Sequence, residues 1–407
     1  MCVFHIDTER RQRLISMKQG IDIAIVGAGP YGLSLAAHLR ARDVKFRIFG
    51  EAMRFWRDMP VGVNLKSLAF ATSIPLPIRG HSYPEWCREN GLEDFEPCTM
   101  QSFAAYGLEI QKRFIPDLEQ VLVTNVSSRP GGFEVVLSSG ERLFSRKVVV
   151  CTGLSALAQV PDALRELGPE RMRHTFDISD YSQFRNKTVA VIGAGASAIE
   201  AGALVHEAGG RSEIFVRGQE AIFHGRTPRE RSLWRRIRDP MSVLGPSLES
   251  WIVQQLPLGV YRLPRERRTR FVKSYLGPAS PWWIIDRVQG KVPIHVRHEL
   301  VEAIERGQGV ELKLRNGDGK VRNVEADFVI AGTGYDADVS RLKFLDAEIL
   351  SRIERIERAP NLSINFESSV PDLYFLGPLS FMCFGPLFRF VSGAEITSRR
   401  LAPRLCR

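Results

Sequence analysis

The most constraining feature of this sequence is a pattern that occurs twice along its 407 residues. In residues 21–39 and again in residues 188–205, a short apolar run leads into a glycine-rich turn and then into a segment rich in small and aliphatic residues. Each copy predicts a buried parallel strand, a tight turn and a helix, because strands covered on both faces are apolar throughout. The sequence therefore predicts an α/β protein with two similar units.

The first turn contains a G-x-G-x-x-G motif formed by Gly27, Gly29 and Gly32. The first glycine permits the tight turn, the second lets the main chain approach a pyrophosphate, and the third lets helix and strand pack closely. The helix that begins near Pro30 and Tyr31 offers free N–H groups and a partial positive charge. The turn predicts the phosphate site of a dinucleotide.

A ribose-binding carboxylate is expected about 20 residues after such glycines. Glu51 follows the predicted second strand, residues 45–49, and is the candidate. The alternative for Glu51 is an ordinary solvated loop carboxylate.

The second turn has the same features, carried by Gly193, Gly195, Ser197 and Ala198. The strand after it ends in Arg217, where a site selective for NAD would carry Asp or Glu. An arginine at this place suits the 2′-phosphate of NADPH. Arg226 is a second candidate for that role, and a solvated cation is the alternative reading of Arg217.

Two nucleotide sites in one chain indicate electron transfer from a nicotinamide to a flavin. We predict two Rossmann-like dinucleotide-binding domains, with the NADPH-binding domain inserted into a discontinuous FAD-binding domain. The FAD-binding domain comprises residues 18–155 and 325–407, the NADPH-binding domain comprises residues 156–324, and residues 1–17 form an N-terminal extension. Strand-and-turn patterns at residues 147–153 and 327–335 mark the two crossings.

These motifs resemble those of two-dinucleotide-binding-domain flavoproteins, and within them the flavin-containing monooxygenases. The turn that contains Gly334 and Tyr335 is similar to a signature of the ornithine and lysine N-hydroxylases. The segment around Trp56 resembles the one that runs beside the flavin. The turn with Gly385 and Pro386 is shared with a bacterial group resembling FAD-dependent urate hydroxylase.

The resemblance implies an FAD- and NADPH-dependent monooxygenase that forms a C4a-(hydro)peroxyflavin and oxygenates a small organic substrate. Such a cofactor carries the chemistry itself, so few acid–base side chains are needed. Lys66 and Ser67 are the candidates for the flavin's reactive edge, with a loop lysine and a capping serine as the alternative. Gly377 and the turn at residues 384–386 are expected at the pyrimidine end of the flavin.

The family's Phe-x-Gly-x-x-x-His signature is not intact, which argues against a Baeyer–Villiger reaction. His174 survives in a similar place, either orienting NADPH or acting as a structural histidine. Two other functions stay open: an NADPH oxidase or electron-transfer reductase, and a redox sensor without turnover. A disulfide reductase is disfavoured, because Cys87 and Cys98 lack the spacing of a redox motif.

The charge of the chain is concentrated in its middle. The net charge is +10, and residues 217–300 hold sixteen Lys or Arg against seven Asp or Glu. No nucleic-acid-binding motif accompanies them. A solvated face is the plain interpretation, while the apolar residues 247–263 suggest a lid or contact with anionic lipid.

The six cysteines lack zinc-site spacing and suit a reducing compartment, which predicts a cytoplasmic protein without a metal.

Overall fold

The computed structural model describes residues 20–226, 228–275 and 277–406, and the extension predicted for residues 1–17 lies outside them. The strands are β1 (Ile21–Val26), β2 (Phe46–Phe49), β3 (Val123–Arg129), β4 (Gly132–Leu137), β5 (Arg142–Val150), β6 (Met172–His174), β7 (Thr188–Ile192), β8 (Arg211–Val216), β9 (Ile294–Val296), β10 (Glu299–Arg306), β11 (Gly309–Arg315), β12 (Val321–Ala326), β13 (Phe328–Ala331), β14 (Arg355–Ile356), β15 (Ala359–Pro360) and β16 (Leu373–Phe375). The α-helices are α1 (Pro30–Arg40), α2 (Arg54–Arg57), α3 (Tyr83–Glu89), α4 (Met100–Phe114), α5 (Ala196–Glu207), α6 (Leu233–Arg238), α7 (Leu248–Gln255), α8 (Arg265–Ser274), α9 (Ile285–Val288), α10 (Ala347–Arg352), α11 (Phe381–Phe384) and α12 (Gly393–Leu405).

The first sheet is built from both ends of the chain. Its parallel centre has β1 between β2 and β5, and the antiparallel β3–β4 hairpin extends it from the first half of β5. β16, which lies about 220 residues further along, pairs in parallel with the second half of β5. The sheet is therefore complete only when the C-terminal segment is in place.

The second sheet contains five parallel strands in the order β6-β13-β7-β8-β9, and the antiparallel strands β10–β12 form a small sheet of their own. This corrects one predicted boundary. We placed the return to the FAD-binding domain at residue 325, but β13 pairs with β6 and β7, so the chain leaves the second sheet only after Ala331. All four residues of β13 are buried, so their apolar pattern would suit a central strand of either sheet.

Both glycine turns leave the carboxyl end of a central parallel strand, which confirms the predicted α/β fold with two Rossmann-like units. The amide of Gly27 donates to the carbonyl of Phe49 at 2.8 Å, and the amide of Gly193 donates to that of Phe215 at 3.1 Å. Ligands of open parallel sheets bind at this edge. Within the described ranges, no helix combines the length and apolar character that crossing a membrane requires.

Candidate functional site

The first glycine turn is packed too closely for side chains at two positions and is open at the third. A Cβ atom on Gly32 would lie 1.9 Å from the Gly27 carbonyl oxygen, and one on Gly27 would lie 2.5 Å from that of Cys151. A Cβ on Gly29 would meet only the ring of Trp56, at 3.5 Å. The backbone at Gly29 therefore faces the space in which a pyrophosphate would lie.

The helices after the two turns begin in the same way. α1 follows Gly29 and α5 follows Gly195; neither has a side-chain cap or an acidic residue in its first turn. Their first amides are thus left for an anionic group. Beside the first turn, the hydroxyl of Thr152 is buried and has no hydrogen-bond partner among the described residues. We did not predict Thr152; the only sign of it was the small-residue turn that follows β5.

Tyr31 joins the first turn to the end of the chain. Its hydroxyl donates to the carbonyl of Phe390 at 2.7 Å, and its ring would lie 3.3 Å from a Cβ on Gly377. Burial raises the pKa of the Tyr31 hydroxyl, so this group remains a donor. We predicted that the first glycine turn and the segment after β16 contact the same cofactor, and the two are neighbours in the structure.

Glu51 is engaged by nearby arginines. Its carboxylate forms ion pairs with Arg54 at 2.9 Å and Arg57 at 3.0 Å, both on α2. The predicted contact between Glu51 and a ribose would have to share the carboxylate with these cations, and it stays a prediction.

The second turn is closed by a residue outside the motif. A Cβ on Gly193 would lie 2.2 Å from the carbonyl oxygen of Gly332, and one on Gly332 would lie 2.5 Å from the Cβ of Ala198. Ala198 stands where the first turn has its third glycine, and Gly332, directly after β13, provides the space for its methyl group. Ser197 is half-buried at the start of α5.

Tyr335 and His174 lie between the two units. The Nε2 atom of His174 lies 3.1 Å from the Gly334 carbonyl oxygen, and its Nδ1 accepts from the Phe176 amide at 3.1 Å. This arrangement requires the neutral ring, and burial lowers the pKa of His174 from its ordinary value of 6.5. The geometry favours the structural reading of His174. The Tyr335 ring contacts His174 edge-on, with the centroids 5.3 Å apart.

Arg217 stands exposed at the end of β8 and has no ion-pair partner among the described residues. Arg226 is committed elsewhere: it bonds to Glu96, and its guanidinium lies 4.6 Å from the centre of the Trp282 ring. Of the two candidates for the 2′-phosphate of NADPH, Arg217 is the available one.

An ion pair joins the two units beside the second turn. Lys66 binds the buried carboxylate of Glu200, on α5, at 3.2 Å; Arg287 approaches the same group at 3.5 Å, and the Asn64 amide donates to it at 3.1 Å. Ser67, next to Lys66, finds no side-chain hydrogen-bond partner in the described ranges. Lys66 is thus tied to the second unit, a contact that we did not predict.

A small cavity of about 30 Å³ lies at this junction. Its walls include Met59 and Val63 from the first unit, Ser197 and Glu200 from the second, and Tyr335 from the segment that follows β13. The cavity therefore lies beside the start of α5, next to the second turn.

The turn containing Gly385 and Pro386 is covered by the middle of the chain. Val260 is buried, and its side chain would lie 3.0 Å from a Cβ on Gly385. The ring of Tyr261 stacks on Phe384, with the centroids 5.1 Å apart. Part of the basic segment at residues 217–300 therefore encloses the turn that we expected beside the flavin.

A larger cavity of about 370 Å³ lies along the outer side of α12. Its apolar wall includes Phe70, Ile74 and Leu76, and Val243 closes it from the second unit. Ser392 is also in the lining, and its buried hydroxyl has no hydrogen-bond partner in the part of the chain that the structure describes. Its size falls within the range of small-molecule sites.

Cys87 and Cys98 lie next to each other despite their separation in the sequence. The two thiols contact each other and the Tyr83 hydroxyl. Burial raises the pKa of the Cys87 thiol to about 11 and also raises that of Cys98. Since the thiolate is the reactive form, neither thiol is a ready nucleophile at neutral pH.

Comparison with known proteins gives a family and three informative relatives. The family model described as pyridine nucleotide-disulphide oxidoreductase matches residues 24–233. The chain is 29% identical to indole-3-pyruvate monooxygenase YUCCA1 of Oryza sativa subsp. japonica, over 47% of each chain. It is 24% identical to FAD-dependent urate hydroxylase of Xanthomonas campestris pv. campestris, over 48% of this chain and 45% of that one. It is 23% identical to ferredoxin–NADP reductase 1 of Bacillus cereus, over 88% of this chain and 81% of that one.

The chain spans about half the length of the first curated relatives it matches. Solved structures match more of it. Ornithine hydroxylase from Pseudomonas aeruginosa superposes with a TM-score of 0.75 at 17% identity, covering 95% of this chain and 98% of that one. L-lysine 6-monooxygenase from Pseudomonas syringae gives 0.73 at 14%, covering 95% and 99%. At these identities the similarity shows the fold, and the predicted resemblance is confirmed at that level.

Proposed function

The chain belongs to the pyridine nucleotide-disulphide oxidoreductase family, and from this premise we propose that it is an FAD- and NADPH-dependent monooxygenase that uses molecular oxygen to oxidise a small organic molecule. The proposal assigns FAD to the first glycine turn and the first sheet, and NADPH to the second turn and the second sheet. Bound FAD would supply two-electron chemistry and the reaction with oxygen, with NADPH as the source of electrons.

The cover over the C-terminal turn is the observation that carries this proposal. Val260 and Tyr261 pack on Phe384 and Gly385, on the turn that we expect beside the flavin. Oxygen chemistry benefits from a site closed to water, which otherwise intercepts reactive intermediates. A reductase that passes electrons to a carrier protein needs an accessible flavin edge instead.

The residues of the two turns fit the phosphates of the two cofactors. The backbone at Gly29 and the unpartnered hydroxyl of Thr152 would hold the FAD pyrophosphate. The backbone at Gly195 and the hydroxyl of Ser197 would hold that of NADPH, with Arg217 on its 2′-phosphate. Lys66, fixed by Glu200, would keep the two units in register at the junction.

We place the substrate in the larger cavity. Ser392, in its lining, directly precedes Gly393, which packs against the hydroxyl of Tyr31 in the first turn. Filling the cavity with a Leu76→Trp substitution should raise the KM for the substrate at least tenfold and leave the flavin content unchanged. A KM that does not move would place the substrate elsewhere.

The activity is tested with purified protein and a panel of substrates. The names of the relatives and structural neighbours suggest L-ornithine, L-lysine, urate and indole-3-pyruvate. NADPH consumption, product and hydrogen peroxide are measured together. Product formed in step with NADPH consumption supports a monooxygenase, while one peroxide per NADPH with every compound supports an oxidase.

An electron-transfer reductase is the second candidate, because the Bacillus cereus ferredoxin–NADP reductase matches most of the chain. Rapid NADPH-dependent reduction of a ferredoxin, with no oxygenated product from the panel, would favour this function. A protein that binds both nucleotides but shows no steady-state NADPH consumption would instead be a redox sensor.

A further inference from the structure

We infer that helix α6 and the exposed face of α7 dock on an anionic lipid surface. The inference is independent of the reaction that the protein catalyses. It concerns the part of the basic middle segment that does not cover the C-terminal turn.

Helix α6 presents apolar side chains to solvent. None of its residues is buried; Leu233 is 72% exposed, Trp234 80% and Ile237 65%. At 100° per residue these three side chains project within a sector of about 100°. Large apolar side chains grouped on one face of a surface helix mark an interaction site.

Arginines flank this apolar face on both sides. Residues 231–238 contain four arginines and no Asp or Glu. Arg235, Arg236 and Arg238 are exposed and form no ion pair with any part of the chain that the structure describes. Arginine stems can lie along an apolar surface while their guanidinium groups bind phosphate oxygens.

The next helix, α7, also exposes apolar side chains, although it contains no arginine and its Glu249 is exposed. Leu248, Trp251 and Ile252 are exposed on one side of α7, whereas Ser250 and Val253 on its other side are buried against the protein. α7 therefore uses one face for folding and leaves an apolar face, with a tryptophan, towards solvent. Tryptophan favours the boundary between lipid and water.

Charge complementarity selects lipid over a second copy of the chain. A two-fold symmetric contact would bring α6 against α6 and oppose four arginines to four arginines, with Glu230 and Asp239 as the carboxylates that flank this stretch. A bilayer that contains acidic lipid satisfies both features, because it accepts the apolar side chains below its headgroups and neutralises the arginines at its surface.

The test is flotation of the full-length protein with vesicles of phosphatidylcholine, alone or mixed with phosphatidylglycerol. We expect binding only to the mixed vesicles and release by high salt. Arg235→Glu/Arg236→Glu should weaken binding by on the order of fivefold or more per arginine, and Trp234→Ala/Ile237→Ala should abolish it. All these positions are exposed, so the variants should remain folded.

Matched controls change exposed residues of the same two kinds, one apolar and one arginine, elsewhere on the surface. Val321→Ala, on β12, and Arg211→Glu, at the start of β8, should bind the mixed vesicles like the unmodified protein. The inference is overturned if the protein stays with buffer, if it binds phosphatidylcholine equally well, or if the α6 variants float unchanged. Dimerisation in sedimentation velocity that Trp234→Ala abolishes would also overturn it, in favour of self-association.

Discussion

At the scale of single residues, Glu200 shows how two units are held together by one charge. Its side chain is only 3% exposed. The carboxylate forms ion pairs with Lys66 and Arg287 and accepts a hydrogen bond from the Asn64 amide. A buried carboxylate is tolerated only when cations and donors satisfy it. Here those partners come from the loop after α2, in the first unit, and from the second unit, so the carboxylate fixes where the two meet.

Replacing Glu200 should therefore affect stability and nucleotide binding together. We expect Glu200→Ala to lower the free energy of unfolding by about 2 kcal/mol, less than a fully buried pair because Lys66 reaches solvent. The KM for NADPH should rise as well. Urea unfolding and steady-state kinetics measure both effects. Glu170→Ala, at an exposed position before β6, is the control and should change neither appreciably.

Arg217 provides a test of nucleotide choice. Arg217→Ala should raise the KM for NADPH by about tenfold or more, the value of a lost charge-assisted contact, and leave the KM for NADH nearly unchanged. Arg211→Ala, at the other end of β8, is the matched control. If Arg217→Ala raised the KM for NADPH and the KM for NADH equally, Arg217 would not bind the 2′-phosphate.

His174 should make stability depend on pH. Its folded-state pKa is lowered, so the unfolded chain takes up a proton first as the pH falls below 6.5. The contribution to stability is thus complete above that pH and declines below it. His174→Gln should flatten this part of the profile in urea unfolding, whereas His224→Gln, at an exposed position, should leave it unchanged. A profile with the same slope in both variants would contradict the assignment.

At the scale of elements, the strand–turn–helix units could be predicted because their signals are local. The glycines, the apolar strands and the start of α1 follow one another within a few residues, and backbone sterics dictate their order. The role of Gly332 could not be predicted, because it rests on contact with Ala198 across more than a hundred residues. The pairing of β13 escaped prediction for a similar reason, since a buried apolar strand fits more than one sheet.

Gly332→Ala tests this distant contact. The added methyl group would overlap Ala198, so we expect a loss of about 1–3 kcal/mol in unfolding free energy and weaker NADPH binding, with flavin retained. Gly225→Ala is the control, because no atom of the residues that the structure describes lies within 4 Å of its Cβ position. If both variants bound NADPH alike, the second turn would not depend on Gly332.

At the scale of the whole molecule, the second unit also covers part of the first. Val260 and Tyr261 come from the middle of the chain and cover a turn near its end. The composition of residues 217–300 indicated charge and apolar surface but not where they would pack, because side-chain packing between distant segments leaves no periodic signal. The sequence could therefore predict the two turns, but not the closure of the site between them.

The attachment of Tyr31 to Phe390 has a consequence for biosynthesis. The second sheet draws on residues 172–331, so it can assemble while the polypeptide is still being translated. The first must wait for β16 and for the carbonyl that anchors Tyr31, both of which are synthesised after every strand of the second sheet. During translation, the second sheet can thus fold before the first, and the turn at Gly29 reaches its final packing only after the inserted unit has formed.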